Sequence, residues 1–204
     1  MPDLFDVIKQ RRSIRKYLPR QVSRELVLDV LEAAGWAPSA HNSQPWRFIV
    51  LEDASVKREL ADAMAEAWAK DLAKDGAKVD DKMRKERVER FADAPVLILA
   101  CFTMDGLRKF PDNERQMCER DLAVQSLGAA MQNLLLTAHA KGLGACWFCA
   151  PGFCKGTVRK VLGIPDAVEP QAFVAMGYPA EKTKVPIKKV LEGYCFVDMW
   201  GKKL

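Results

Sequence analysis

Eleven residues, Pro38-Ser39-Ala40-His41-Asn42-Ser43-Gln44-Pro45-Trp46-Arg47-Phe48, hold more chemistry than a connector needs. Asn42 and Gln44 each carry an amide that donates and accepts at once. Residues two apart in an extended segment point the same way, so both amides can address one planar heterocycle. Pro45 restricts the residue before it and is expected to hold Gln44 extended. The plainer reading is an ordered loop whose amides satisfy their own backbone. A second cluster, Arg11-Arg12-Ser13-Ile14-Arg15-Lys16-Tyr17, alternates Arg11, Ser13 and Arg15. In an extended segment these three face one side and can grip a phosphate or a ring carbonyl. A solvated basic turn is the plainer alternative. A third stretch, Cys146-Trp147-Phe148-Cys149 followed by Cys154, is a lone C-x-x-C. A zinc site would need a second pair at ligand spacing, and neither His41 nor His139 supplies one. Burial as small hydrophobes is the expected fate of most of the six cysteines.

The elements that position these residues follow from periodicity and caps. Asp3 to Gln10 is predicted helical, with Pro2 near its start and Leu4, Val7 and Ile8 on one face. Ser23 caps a second helix, with Leu26, Val27, Val30, Leu31 and Ala34 as its apolar face and Gly35 at its end. The eleven-residue loop follows, then a short strand, Ile49-Val50-Leu51. Ser55 to Phe91 is helical and highly charged, broken near Gly76. Leu60, Met64, Ala67 and Trp68 form the stripe of its first half, and the second half is expected to be mostly exposed. Ala94 to Phe102 is a continuous apolar run of the kind a sheet covered on both faces requires. Thr103 to Arg120 reads as an irregular or partly helical, lid-like excursion. Asp121 to Lys141 is the longest predicted helix and is apolar nearly all round, so it is central to the core or pressed on another subunit. Ala145 to Phe148 and Ala172 to Met176 are strands, with a short helix from Thr157 to Leu162 between them. The tail from Ala180 ends in Tyr194, Phe196, Val197, Met199 and Trp200, which suggests an arm packing on a partner.

Composition bounds the class. A chain of 204 residues with 49% hydrophobic and 29% charged residues is ordinary for a globular protein built around one substantial core. The net charge of +5 is mild and the basic residues are scattered, which argues against nucleic acid as a partner. No apolar run reaches the roughly 20 residues of a membrane span. The charged N-terminal stretch lacks a signal-peptide core, so a cytoplasmic protein without membrane partners is expected. No G-x-x-x-x-G-K-[ST] or G-x-G-x-x-G motif is present, which leaves a P-loop or a Rossmann dinucleotide domain without support.

Arg11-Arg12-Ser13-Ile14-Arg15, Pro38-Ser39-x-x-Asn42-x-Gln44-Pro45-Trp46-x-Phe48 and Gly142-Leu143-Gly144-Ala145-Cys146-Trp147, in this order and spacing, resemble the FMN-dependent nitroreductase family. Leu162-Gly163-Ile164-Pro165 and Met176-Gly177-Tyr178-Pro179 resemble that family's C-terminal segments. The resemblance implies an α+β sandwich, 1–204 as one domain, with a mixed but mainly antiparallel sheet flanked by helices. It also implies a homodimer with swapped C-terminal arms. It places Arg11, Arg12, Ser13 and Arg15 on the FMN phosphate, ribityl chain and ring edge. Pro38, Ser39, Ala40 and Asn42 would come from the other subunit, with Gln44 near the pyrimidine end. Trp147, Phe148, Cys149 and Ala150 would pass under the ring, and Lys188 or Lys189 would complete the phosphate site.

The implied activity is that of an oxidoreductase reduced by NADH or NADPH, which passes electrons to a nitroaromatic, quinone or similar electron-poor acceptor by a ping-pong cycle. No side chain is required as an essential acid or base, so no catalytic residue is assigned. The alternatives are a flavin storage or sensor protein without turnover, and a specialised reductase or flavin-processing enzyme on the same fold. The chain departs from the family in having Cys149 where some members carry a glutamate. It also lacks a recognisable Asn/Lys pair around residues 63–74.

Overall fold

The structure, a computed structural model, describes residues 3–203; Pro2, read as a helix-start signal, lies outside them with Met1 and Leu204. Helix α1 (Leu4–Gln10) begins where the Asp3 carboxylate accepts the Phe5 and Asp6 N–H groups. Ser23 does the same for Leu26 at the start of α2 (Arg24–Gly35). Strand β1 (Trp46–Leu51) is longer than the three residues predicted. Helices α3 (Ala54–Lys74) and α4 (Asp81–Ala92) are capped by Asp53 and Asp80. Strand β2 (Val96–Thr103) is buried along its whole length. Helix α5 (Asn113–Ala140) leads to β3 (Gly144–Phe148). A single-turn α6 (Ala150–Phe153), then α7 (Lys155–Leu162) and β4 (Val168–Gly177), complete the sheet-bearing part.

The sheet order is β1-β2-β4-β3 and every neighbouring pair is antiparallel. The parallel component of the expected mixed sheet is small. Among the described residues it is the isolated bridge between Ser13 and Ala145, which lays the Arg11–Arg15 segment along the β3 edge. Side chains alternate across a pleated sheet, so a sheet covered on both faces needs two cores. One core holds Val30, Ala34, Ile98, Phe102, Leu127, Met131, Leu134 and Val174, between the sheet and α2 with α5. The other holds Leu60, Met64, Phe91, Leu97, Leu99, Val158 and Phe173, between the sheet and α3, α4 and α7.

Two predicted elements differ from the structure. The excursion read as irregular or partly helical is helical from Asn113: residues 113–120 are the first turns of α5, which starts with Asp112 accepting the Arg115 N–H, so that helix begins earlier than predicted. Their polar character reflects an exposed face, since only Glu119 in those turns is buried. Helix α4 is exposed at first, as expected, but its last turn buries Val88, Phe91 and Ala92. Phe91 packs edge-on against Phe148 with ring centroids 5.3 Å apart. All six cysteines are free thiols; Cys101 and Cys146 are buried, whereas Cys118 and Cys149 are exposed, so burial accounts for fewer of them than expected.

Candidate functional site

Ile14 donates its N–H to the Ala145 carbonyl at 3.0 Å and turns its side chain inward. Its neighbours Arg11, Ser13 and Arg15 line the adjoining cleft, but so does Arg12, of the same parity as Ile14, so alternation alone does not sort the segment. Glu181 anchors the far end, accepting the Arg15 and Lys16 N–H groups at 2.9 and 3.2 Å. Arg11, Arg12, Ser13, Arg15 and Lys188 line one cleft of about 810 Å³, completed by Lys184 and Tyr194. Lys189 is not among its lining residues. Among the described residues none of Arg11, Arg12, Arg15 and Lys188 pairs with a carboxylate. With Lys9 and Lys184, six cations and a hydroxyl line this cleft, a set suited to an anion.

The loop 38–44 departs from its predicted shape. Ala40–Asn42 forms a tight 3-10 turn, and His41, Asn42 and Gln44 have φ of 54°, 52° and 45°. Gln44 is thus not extended, so the restriction imposed by Pro45 is overridden locally. The Gln44 N–H donates to Ser39 Oγ at 3.1 Å, and the Ala40 N–H donates to Ser126 Oγ on α5 at 3.2 Å. The two amides do converge, Gln44 Nε2 lying 3.3 Å from Asn42 Oδ1. Left-handed backbone at three non-glycine residues costs free energy and persists where surrounding contacts over-determine it, commonly at ligand clamps. Buried Glu119 lies below the turn, its Oε1 3.5 Å from His41 Nε2 and its Oε2 accepting the Arg108 N–H at 3.2 Å.

At the far end of β3, Trp147 and Cys149 open into a cavity of about 340 Å³ between α5, α6 and the start of β4. Phe148, of opposite parity, packs against Phe91 instead, and Ala150 is half-buried in the same core. Pro38, Ser39, Ala40, Asn42 and Gln44 line neither this cavity nor the cationic cleft. Within one chain the residues singled out in the sequence therefore fall into three places: the cleft beside Ser13, the end of β3, and the loop on α5.

Sequence reasoning missed a fourth group beside the β3 cavity. Glu169 Oε1 accepts from Arg120 Nη2, Lys155 Nζ and Gln171 Nε2 at 2.5, 2.6 and 2.8 Å. Burial pushes this carboxyl up, but the hydrogen bonds from Lys155 and Arg120 and their charges outweigh it and hold the group below the usual carboxylate range. The four residues come from α5, α7 and β4, and no spacing in the chain connects them. The C-x-x-C reading also changes. Cys146 is buried beside Ser13 and Tyr17, whereas Cys149 faces the α5 side, so the two thiols lie on opposite sides of the strand. Burial raises the Cys146 pKa despite Arg15 and Ser13 nearby, which keeps it a protonated thiol. Among the described residues no group of three His, Cys, Asp or Glu side chains could hold a metal ion.

The chain is a helix–sheet–helix α+β fold with a cationic cleft on its sheet edge, and comparison with known proteins names its family. Residues 8–178 match the model of the Nitroreductase family. The chain belongs to that family. It is 36% identical over 182 residues to a candidate NADH dehydrogenase/NAD(P)H nitroreductase of Methanothermobacter thermautotrophicus, covering 88% of this chain and 78% of that protein. It is 32% identical over 193 residues to YfhC, a candidate NAD(P)H nitroreductase of Bacillus subtilis, covering 91% of each. Among solved structures, a BluB-like flavoprotein from Clostridium difficile superposes with a TM-score of 0.79 at 27% identity, covering 96% of this chain and 98% of that one. A candidate nitroreductase from Desulfovibrio desulfuricans, solved in complex with FMN, gives 0.70 at 30% identity, covering 94% and 95%.

Proposed function

We propose that this protein is an FMN-dependent oxidoreductase that takes electrons from NADH or NADPH and passes them to a nitroaromatic, a quinone or a similar electron-poor acceptor. The observation that carries this reading is the cleft beside the β3 edge, where, among the described residues, Arg11, Arg12, Arg15 and Lys188 have no carboxylate partner. Such a set fits the phosphate of FMN, with the Ser13 hydroxyl as a further donor. Strand β3 links that cleft to Trp147 and Cys149, which would lie along the flavin ring. FMN, when bound, supplies the two-electron redox chemistry. The protein's own part is to neutralise the phosphate, orient the ring on β3 and present donors to its polar edge. The positive charge of Arg15 would favour the negative charge that a flavin gains on reduction. No buried acid or base beside β3 is needed for that role.

The loop 38–44 makes its contribution from a second copy. It lines neither cavity of its own chain, although Asn42 and Gln44 converge on its surface. We infer a homodimer, in which α5 and the C-terminal arm form the interface. The arm leaves Val185, Ile187, Val190, Tyr194, Met199 and Trp200 exposed. So much apolar surface on an extended segment is characteristic of a subunit interface. Among the described residues no helix is long and apolar enough to cross a membrane, which fits a protein acting on small molecules in solution.

Titration of the flavin-free protein with FMN, followed by quenching of flavin fluorescence, tests the cofactor assignment. Saturable binding at one FMN per chain is expected. Arg15→Ala should weaken it by about 1–2 kcal/mol, a charge-assisted hydrogen bond discounted for exposure. Absence of FMN binding by the unmodified protein would contradict the reading.

A further inference from the structure

The cationic segment runs antiparallel to the chain leaving β4, with Tyr17 bridged to Pro179. The Leu18 N–H donates to the Tyr178 carbonyl at 2.8 Å, and the Ala180 N–H donates to the Lys16 carbonyl at 3.0 Å. That backbone pairing stops before the charged part: among the described residues the Arg15 and Lys16 N–H groups have no backbone acceptor. Backbone donors need partners, and the Glu181 carboxylate supplies one, its Oε1 accepting from both at 2.9 and 3.2 Å. On the inner side the Tyr17 hydroxyl, shared between the Ile14 and Ala175 carbonyls at 2.6 and 2.9 Å, ties the same turn to β4. Among the described residues Glu181 forms no ion pair with a guanidinium of the segment. One carboxylate thus fixes the backbone that carries Ser13 and Arg15 and leaves its cations free. It also sets a negative charge on a wall shared with Arg11 and Arg12.

We propose that Glu181 is the positioning residue of the phosphate site and that its charge holds the affinity of that site in check. The inference rests on the FMN reading above and names a further residue that governs cofactor binding. Its two roles act in opposite directions. The clasp keeps the donors of the segment in register, which favours an anion, whereas the carboxylate charge repels the same anion. Two substitutions separate them. Glu181→Gln removes the charge but keeps an oxygen that can accept the two N–H groups. Glu181→Ala removes both charge and clasp, so the two variants differ from each other in the clasp.

The test titrates the full chain, freed of flavin, with FMN in low and in high sodium chloride. At low salt Glu181→Gln should bind FMN about two- to fivefold more tightly than the unmodified protein, the scale of a partly exposed charge contact. High salt screens that repulsion, so the gain should fade there. Glu181→Ala should bind FMN about tenfold more weakly than Glu181→Gln at low salt, the scale of the hydrogen bonds lost. That gap should narrow at high salt, because the misplaced donors serve the phosphate and their contribution is the part that salt screens. A merely structural role would weaken FMN by the same factor at both salt concentrations. Such a constant gap, equal affinity in the two variants, no FMN uptake at all by Glu181→Ala, or weaker binding by Glu181→Gln than by the unmodified protein would overturn the proposal. Failure of the FMN reading has a separate signature: an unmodified protein that takes up no FMN at either salt concentration.

Discussion

A methyl group at Gly144 would lie 2.7 Å from both Cβ and Cγ2 of Ile14, closer than real Cβ atoms come. This position is where β3 meets the Arg11–Arg15 segment, so the absent side chain lets the cationic segment lie flat on the strand. Gly144→Ala should destabilise the fold by about 1–3 kcal/mol through overpacking, measured by denaturant unfolding. It should also weaken FMN binding, because Ser13 and Arg15 move with Ile14; unchanged affinity would separate the segment from the site. Glu169 gives a prediction about acidity. Its carboxyl titrates below the ordinary range when folded, so its contribution to stability is present near neutral pH and is lost as pH falls through the lowered value. In Glu169→Gln that part of the acid dependence should vanish. At this scale the sequence was legible where residues alternate along the chain, as Arg11, Ser13 and Arg15 do. The Glu169 group was not, because its members meet only after α5, α7 and β4 have packed.

The loop 38–44 is held as an element by α5. Ser126 Oγ accepts the Ala40 N–H at 3.2 Å while donating to the Leu122 carbonyl at 2.7 Å. Ser126→Ala should cost about 1–2 kcal/mol, since it orphans a partly buried donor, and should free the strained turn. If the loop serves the flavin of a second copy, the same change raises the FMN dissociation constant as well. On β3 alternation separates Cys146 from Trp147, and Cys149, just past the strand, lines the α5-side cavity with Trp147. Replacing both cysteines with serine should leave flavin content intact, and oxidation should form no bond between them; a disulfide in peptide mapping would contradict the strand geometry. Existence and order of the main helices and strands were legible from caps and apolar runs. The start of α5 and the burial at the end of α4 were not, each for a physical reason. The first turns of α5 show solvent almost wholly polar side chains, and α4 hides three buried residues behind a charged surface. The Gln44 backbone was misread because a preference set by the next residue lost to the hydrogen bonds that Ser39 Oγ accepts from the Gln44 N–H and Ser126 Oγ of α5 from the Ala40 N–H.

Across the whole molecule, the sheet with its two cores explains the position of the clefts, and the exposed arm supports the proposed homodimer. Among the described residues Val185, Ile187, Val190, Leu191, Tyr194, Met199 and Trp200 of the arm are exposed. Truncation after residue 183 should therefore shift the protein from dimer to monomer in light scattering and lower flavin retention. A truncated protein that stayed dimeric with full flavin would contradict the role given to the arm. That apolar tail was visible in the sequence; what it covers was not, because no local pattern says which face of a second copy lies beneath it. The central claim, a bound flavin that accepts electrons from a nicotinamide, is tested most directly by one spectrum. The visible absorption of the purified protein is recorded without oxygen, before and after NADH or NADPH. Flavin bands that bleach on addition are the predicted result. Flavin bands that persist under both donors would contradict the proposed reaction, and a colourless protein that takes up no added FMN would contradict the cofactor itself.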